Sequence, residues 1–179
     1  MIRFSERPMG IISLILPASI TIVPEQSKDS STRRKFFKIT KENFWEIISL
    51  KAGENQRFVA SNAISIAQSK VEPYLLPLAI YDDDTAVGFL LHGIVPDDGH
   101  YWIVRLMVDE KHQKNGYGKK AMELIIGKIK EDTDHNKVFI STSPENTIGL
   151  NLYKRLGFVS TGRIEDGEEI LVLEWGITK

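Results

Sequence analysis

The chain has 179 residues, carries 23 Lys and Arg against 24 Asp and Glu, and contains no cysteine. That length suits one globular domain, and 42% hydrophobic with 26% charged residues suits a domain that buries a core. The charge balance excludes a chain that coats nucleic acid through a basic excess. The missing cysteine excludes disulfides, thiolate metal sites and a cysteine nucleophile, and it agrees with a reducing cytoplasm.

Residues 8–24 carry no charge and include the apolar run from Ile11 to Leu16. A membrane-spanning helix needs about 20 apolar residues, and this run is shorter and is interrupted by Pro17. Arg3 and Arg7 resemble the start of a secretory signal, but no small-x-small cleavage site follows. The expectation is an added strand or a loose arm, with no membrane partner. Residues 27–32 read as a polar linker, so the predicted division is an N-terminal extension over 1–32 and a compact domain over 33–179.

From Arg33 onward the elements follow in regular order. Residues 35–39 read as a short strand. Thr40 can cap a helix through Phe44, Trp45, Ile47, Ile48 and Leu50 that ends near Gly53. A second helical stretch covers 59–70, with Pro73 and Pro77 bracketing its exit. Residues 78–81 and 86–91 flank Asp82, Asp83, Asp84 and Thr85 in the pattern of a hairpin, and 101–108 form the next strand. After Gly116 the residues Met122, Ile125, Ile126 and Ile129 line one helical face. Residues 138–140 read as a strand and 147–156 as a helix stopped by Gly157. Asp166-Gly167 closes a last hairpin between strands near Phe158 and over 170–175. The predicted class is α/β (α+β): a mixed, mostly antiparallel central sheet of six to seven strands flanked by four helices.

The chemistry concentrates between Trp102 and Lys120. A strand leads into Gln113-Lys114-Asn115-Gly116-Tyr117-Gly118 and then a helix. Glycines at the mouth of a helix let backbone N–H groups approach an anion, and the helix dipole adds to the attraction. Lys111, His112, Lys114, Lys119 and Lys120 surround the same point, so a phosphate or pyrophosphate is the natural guest. A P-loop would place Gly at 113 and Ser or Thr at 120, where this chain has Gln113 and Lys120. The dinucleotide pattern Gly116-x-Gly118-x-x-Ala121 is met, but there the glycines follow the strand at once, whereas Gly116 lies eight residues past Val108.

The whole arrangement instead resembles the GNAT superfamily of N-acetyltransferases. Gln113-x-x-Gly116-x-Gly118 after a strand is similar to their acetyl-CoA pyrophosphate loop. The stretch from Asn146 through Leu152-Tyr153-Lys154-Arg155-Leu156-Gly157-Phe158 is similar to their later Asn-led helix. The resemblance covers 33–179. Residues 55–68, 77–81 and 101–108 further resemble bacterial spermine/spermidine N-acetyltransferases. One departure is Lys114, where the family usually has glycine after the loop glutamine.

The resemblance implies acetyl-CoA as cofactor and a small-molecule amine as acceptor, a polyamine such as spermidine or spermine, with no nucleic-acid partner and a homodimer as an option. It implies that the backbone of Leu106, Met107 and Val108 pairs with the pantetheine arm. The N–H groups of Gln113, Lys114, Asn115, Gly116, Tyr117, Gly118 and Lys119 would take the pyrophosphate, and Asn146 and Tyr153 would reach the thioester. Tyr153 would act as general acid toward the departing thiolate. Glu54, Gln56, Phe58, Asn62 and Tyr101 are the residues placed at the acceptor. Asn146 can also be a plain helix cap, and Tyr153 a plain core tyrosine.

Direct attack by a neutral amine needs no protein nucleophile, in agreement with the missing cysteine. Glu54, His92, His100 and Tyr101 are candidate bases by position. Asp82, Asp83, Asp84, Asp97 and Asp98 supply acidity near the predicted acceptor side, although 82–84 reads first as a solvated hairpin tip. The four histidines show no i, i+4 pairing, so no metal is expected. Two readings outside polyamine acetylation stay open: transfer to another small amine, an aminoglycoside or a protein N-terminus, and a non-catalytic acyl-CoA sensor.

Overall fold

A computed structural model describes residues 34–53 and 60–176 of the chain. The N-terminal extension and the predicted acceptor residues Glu54, Gln56 and Phe58 lie outside the described residues. Among those described, no helix is long and apolar enough to cross a membrane.

The described residues form seven strands and four α-helices. They are β1 (Arg34–Lys38), α1 (Phe44–Ser49), α2 (Asn62–Val71), β2 (Leu75–Asp82), β3 (Thr85–Val95), β4 (His100–Val108), α3 (Tyr117–Ile129), β5 (Lys137–Thr142), α4 (Thr147–Arg155), β6 (Val159–Glu165) and β7 (Glu168–Glu174). They form one sheet in the order β1-β2-β3-β4-β5-β7-β6. Every neighbouring pair is antiparallel except β4 and β5, which run parallel because α3 carries the chain across between them. The mixed, mostly antiparallel sheet with four helices is the one expected.

Local chemistry accounts for most boundaries, and it moves three of the expected ones. Thr40 does not cap α1. Its N–H donates to Asn43 Oδ1 at 2.8 Å, a turn over 41–43 intervenes, and the helix opens only at Phe44, with Asn43 as its N-cap residue. The next helix opens at Asn62 rather than 59, because Ser61 turns its hydroxyl to accept from the Ile64 N–H. Pro77 lies inside β2 instead of before it. It pairs with Leu91 of β3, while β1 reaches only as far as Leu78, so no strand stands on its other side to miss the proline's absent N–H. The closing hairpin turns at Asp166 (φ 49°) and Gly167 (φ 82°), two left-handed residues in succession as a primed turn requires.

The core on one face of the sheet joins Ile47 of α1 and Ile66 of α2 to Leu75, Ala79, Phe89, Leu91 and Met107. On the other face, α3 buries Ala121, Met122, Ile125, Ile126 and Ile129. Strand β4 carries an irregularity in its middle. Between Leu91 and His92 strand β3 advances one residue while β4 steps from Arg105 to Ile103, so Val104 is an extra residue in β4. Such a bulge bends its strand and switches which side chains face which way. Beyond it, Met107 points into the α1–α2 core. The pairing of β4 with β5 is confined to Tyr101, Ile103 and the residue between them.

Candidate active site

The divergence of β4 and β5 is the centre of the site. Past Ile103, the side of β4 that faces β5 has no strand opposite it among the described residues. Leu106, Met107 and Val108 are paired only to Leu90, Phe89 and Gly88 of β3. Their remaining backbone donors and acceptors can therefore take a new extended partner laid alongside β4.

The loop that follows is pinned at several points. Gln113 Nε2 donates to the carbonyls of Ala52 (2.7 Å) and Val108 (3.1 Å). The buried Asp109 carboxylate accepts from the N–H groups of Lys51 and Lys111. Asn115 Nδ2 reaches back to the carbonyls of His112 and Gln113. Two residues in left-handed conformation, Lys114 (φ 65°) and Gly116 (φ 76°), bring the chain to α3. The first helical bond is Lys120 N–H to Gly116 O, at 3.1 Å. The N–H groups of Tyr117, Gly118 and Lys119 thus open the helix with no carbonyl inside it to meet. A Cβ on Gly116 would meet nothing within 4 Å, so its glycine serves the backbone angle and the open approach rather than packing. Tyr117 is fixed from the far side. Its hydroxyl donates to Asp82 Oδ2 at 2.7 Å, and the Arg34 guanidinium lies 4.7 Å from its ring centre.

At the other end of the divergence is a cleft lined by Val104, Arg105, Leu106, Ser141, Thr142, Ser143, Asn146, Tyr153 and Glu168. Asn146 caps α4, accepting from the Gly149 N–H at 3.0 Å and donating to Thr142 Oγ1 at 2.9 Å. Tyr153, two helical turns further on, is 6% exposed, and its hydroxyl has no hydrogen-bond partner among the described residues. Burial, with the nearby Glu168 carboxylate adding to it, pushes its phenol up to about 12. Glu168 itself accepts a hydrogen bond from Ser141 Oγ.

Of the acceptor residues expected from sequence, Asn62 and Tyr101 are described, and neither lines this cleft. Tyr101 is 2% exposed at the opposite end of β4, and its hydroxyl donates to Asp132 Oδ2 at 2.9 Å. Burial and that carboxylate hold its phenol well above the usual tyrosine range. Asn62 is likewise buried, its Nδ2 donating to the carbonyl of Ile47 at 2.8 Å, which ties α2 to α1. Both are polar groups matched inside the protein, and neither is left to meet a ligand. Asp82 belongs to the glycine-loop end through Tyr117 and through Arg34 at 3.6 Å. Asp98 is held by Trp102 Nε1 and the His100 N–H. His92 is 4% exposed, and burial takes its imidazole down to about 4. Sequence reasoning missed Arg105, Ser141 and Glu168. Arg105 was read only as part of a strand, and Glu168-Glu169 gives no hint of which glutamate turns inward.

The N-terminal mouth of α3, the open edge of β4 and the cleft lined by Tyr153 and Glu168 therefore follow one another along β4. Among the described residues no group of His, Cys, Asp or Glu is arranged to hold a metal.

The family model described as the acetyltransferase (GNAT) family matches residues 36–158. Among curated proteins, the chain is 28% identical to the spermine/spermidine N(1)-acetyltransferase of Bacillus subtilis, over 76% of this chain and 95% of that one. Among solved structures, it is similar to the PaiA N-acetyltransferase of Thermoplasma acidophilum in complex with coenzyme A, with a TM-score of 0.60, 17% identity and coverage of 79% and 99%. An aminoglycoside acetyltransferase, AAC(6')-Ib, solved with coenzyme A, gives a TM-score of 0.65 at 13% identity, with coverage of 79% and 94%.

Proposed function

The chain belongs to the GNAT acetyltransferase family, enzymes whose donor is acetyl-CoA, and on that premise we propose that it acetylates a primary amine of a polyamine such as spermidine or spermine. The reading of the acceptor is supported by the B. subtilis relative, whose own length is 95% covered by the match. The reading of the site is carried by one observation. The open edge of β4 joins the glycine-started helix α3 to the cleft that contains Tyr153.

The residues present fit the cofactor. The N–H groups of Tyr117, Gly118 and Lys119 face the position for a pyrophosphate, with the dipole of α3 behind them. Lys114 and Lys119 stand at the same loop as cations, with Gln113 and Asn115 holding its shape. The unpaired backbone of Leu106, Met107 and Val108 would hold the pantetheine arm as a neighbouring strand would. When bound, the cofactor supplies an acetyl group activated as a thioester. Asn146 sets the mouth of α4 beside it, and Tyr153 offers its hydroxyl proton to the leaving sulfur. Attack comes straight from the amine's lone pair, so no residue of the chain is acylated.

The cysteine-free composition suits a reducing compartment, and the cytoplasm is where we place the reaction. The experiment is release of free CoA from acetyl-CoA, followed with a thiol-reactive dye, with spermidine present and absent. The protein contributes no thiol of its own. Release that depends on spermidine is the expected result. Release with an aminoglycoside or a peptide amine in place of spermidine would move the acceptor class, and cofactor binding without turnover on any amine would mark a sensor.

A further inference from the structure

The cleft at the end of the β4–β5 divergence contains a carboxylate that sequence did not single out. Glu168 opens β7 directly after the Asp166-Gly167 turn and lines the cleft together with Tyr153, Arg105 and Asn146. The hydrogen bond from Ser141 Oγ, on the neighbouring β5, holds its Oε2, and the residue lines the cleft. We propose that Glu168 is the catalytic base of the transfer, the group that takes the proton from the acceptor amine. The proposal rests on the acetyltransferase reading.

Of the alternatives named from sequence, Glu54 lies outside the described residues, and the other three are placed elsewhere. Tyr101 donates to Asp132, and His92 lies buried on the α3 side of β3, away from the cleft lining. His100 packs its ring 5.6 Å from that of Phe139, near the opposite end of β4. Among the described residues, Glu168 is the only carboxylate that lines the cleft.

The step balances with two groups of this chain. The amine's lone pair forms the C–N bond to the acetyl carbon, and the N–H proton, made acidic by that bond, passes to the Glu168 carboxylate. As the C–S bond breaks, Tyr153 gives its hydroxyl proton to the sulfur. The proton on Glu168 then restores Tyr153 directly or through solvent. Arg105 has a supporting part. Its Nη1 is tied to the carbonyl of Val104 at 2.8 Å, while its Nε is buried and has no partner among the described residues. A fixed cation beside the cleft disfavours an ammonium there and favours the free amine that can attack.

The test compares wild type, Glu168→Gln and Ser141→Ala by CoA release between pH 7 and pH 10. The acceptor is whichever amine wild type uses best among spermidine, spermine, an aminoglycoside and a peptide with a free N-terminus. Glutamine can still accept from Ser141, so the local fold has its bond. Glu168→Gln is expected to lower kcat about 100-fold at pH 7, the low end of what a positioned base contributes. KM for acetyl-CoA should stay unchanged, and the deficit should narrow toward pH 10 as hydroxide substitutes for the missing base. Ser141→Ala, which loosens the carboxylate without removing it, should lose less. A Glu168→Gln enzyme with wild-type kcat overturns the assignment. So does a deficit that is flat across the pH range, the mark of a merely structural role. Should Glu168→Gln not fold, Glu168→Asp gives the same readout, because it withdraws the carboxylate by one methylene. If wild type turns over none of the amines, the acetyl-transfer reading fails and takes this one with it. Turnover by wild type with an indifferent Glu168→Gln overturns the base alone.

Discussion

Tyr153 is held protonated by two effects that act in the same direction, burial of its phenol and the charge of Glu168, which together bring it up to about 12. A phenol in that state is a donor and cannot serve as a base at neutral pH. The same shift makes its proton harder to release than an ordinary tyrosine's, first through burial and then through the charge of Glu168. A proton arriving on that carboxylate removes part of what raises Tyr153. Replacing Tyr153 by Phe is expected to lower kcat by about 100-fold or more while the Kd for acetyl-CoA is unchanged, as calorimetry with the cofactor alone would show. In wild type, the pH–rate profile should show no descending limb from this hydroxyl below about pH 11, since its ionisation lies beyond that. A fall already visible near pH 9 would mean that another acid is in use. Residue by residue, the sequence was informative where a backbone angle demands a residue type, as at Gly116 and at Asp166-Gly167. It was uninformative for Glu168, Tyr101 and Asn62, because the partner that decides each of them lies on a distant element: Ser141, Asp132 and Ile47 respectively.

At the scale of elements, α3 could be read from periodicity, the loop before it from its glycine spacing and α4 from its glycine stop, while the feature that makes the cleft could not. The extra residue at Val104 breaks strand alternation by one position, and such a break in an apolar run looks like any other buried strand. Close approach across β3 is equally invisible in sequence. A Cβ on Gly88 would come 2.4 Å from the carbonyl oxygen of Met107, and one on Gly93 would come 2.1 Å from that of Tyr74. Both contacts are to backbone, which cannot step aside as a flexible side chain would. Gly127 is the opposite case, exposed within α3 with nothing within 4 Å of an added Cβ. Gly88→Ala should therefore destabilise the protein by about 2 kcal/mol or more through strain between β3 and β4. Gly127→Ala should stabilise it by about 1 kcal/mol through helix propensity alone. Denaturant midpoints at constant m-value would read both changes, and a neutral Gly88→Ala would refute the close approach.

For the whole molecule, the most consequential titratable group lies away from the chemistry. His92 sits in the middle strand pairing of the sheet, beside Leu76 and Ile103, with its Nδ1 buried and unpartnered among the described residues. Burial, reinforced by the charge of Lys128 on α3, takes its pKa from the usual 6.5 down to about 4. In the unfolded chain the same imidazole takes up a proton as pH falls through 6.5; in the folded protein it stays neutral until about 4. Over that window the unfolded state binds more protons, so stability rises with pH and is lost as the solution is acidified. The loss approaches about 3 kcal/mol from this one group, by the 1.36 kcal/mol that each pKa unit represents. Exchange of His92 for Gln removes the titration while keeping a polar group in place. The variant is expected to start less stable at pH 7, yet to lose about 3 kcal/mol less than wild type on going to pH 4, read from urea midpoints at the two values. Parallel losses in the two proteins would show that the imidazole is not kept neutral and that the sheet opens to admit its proton. The expected difference would make the acid limit of the fold a property of the β3–α3 packing.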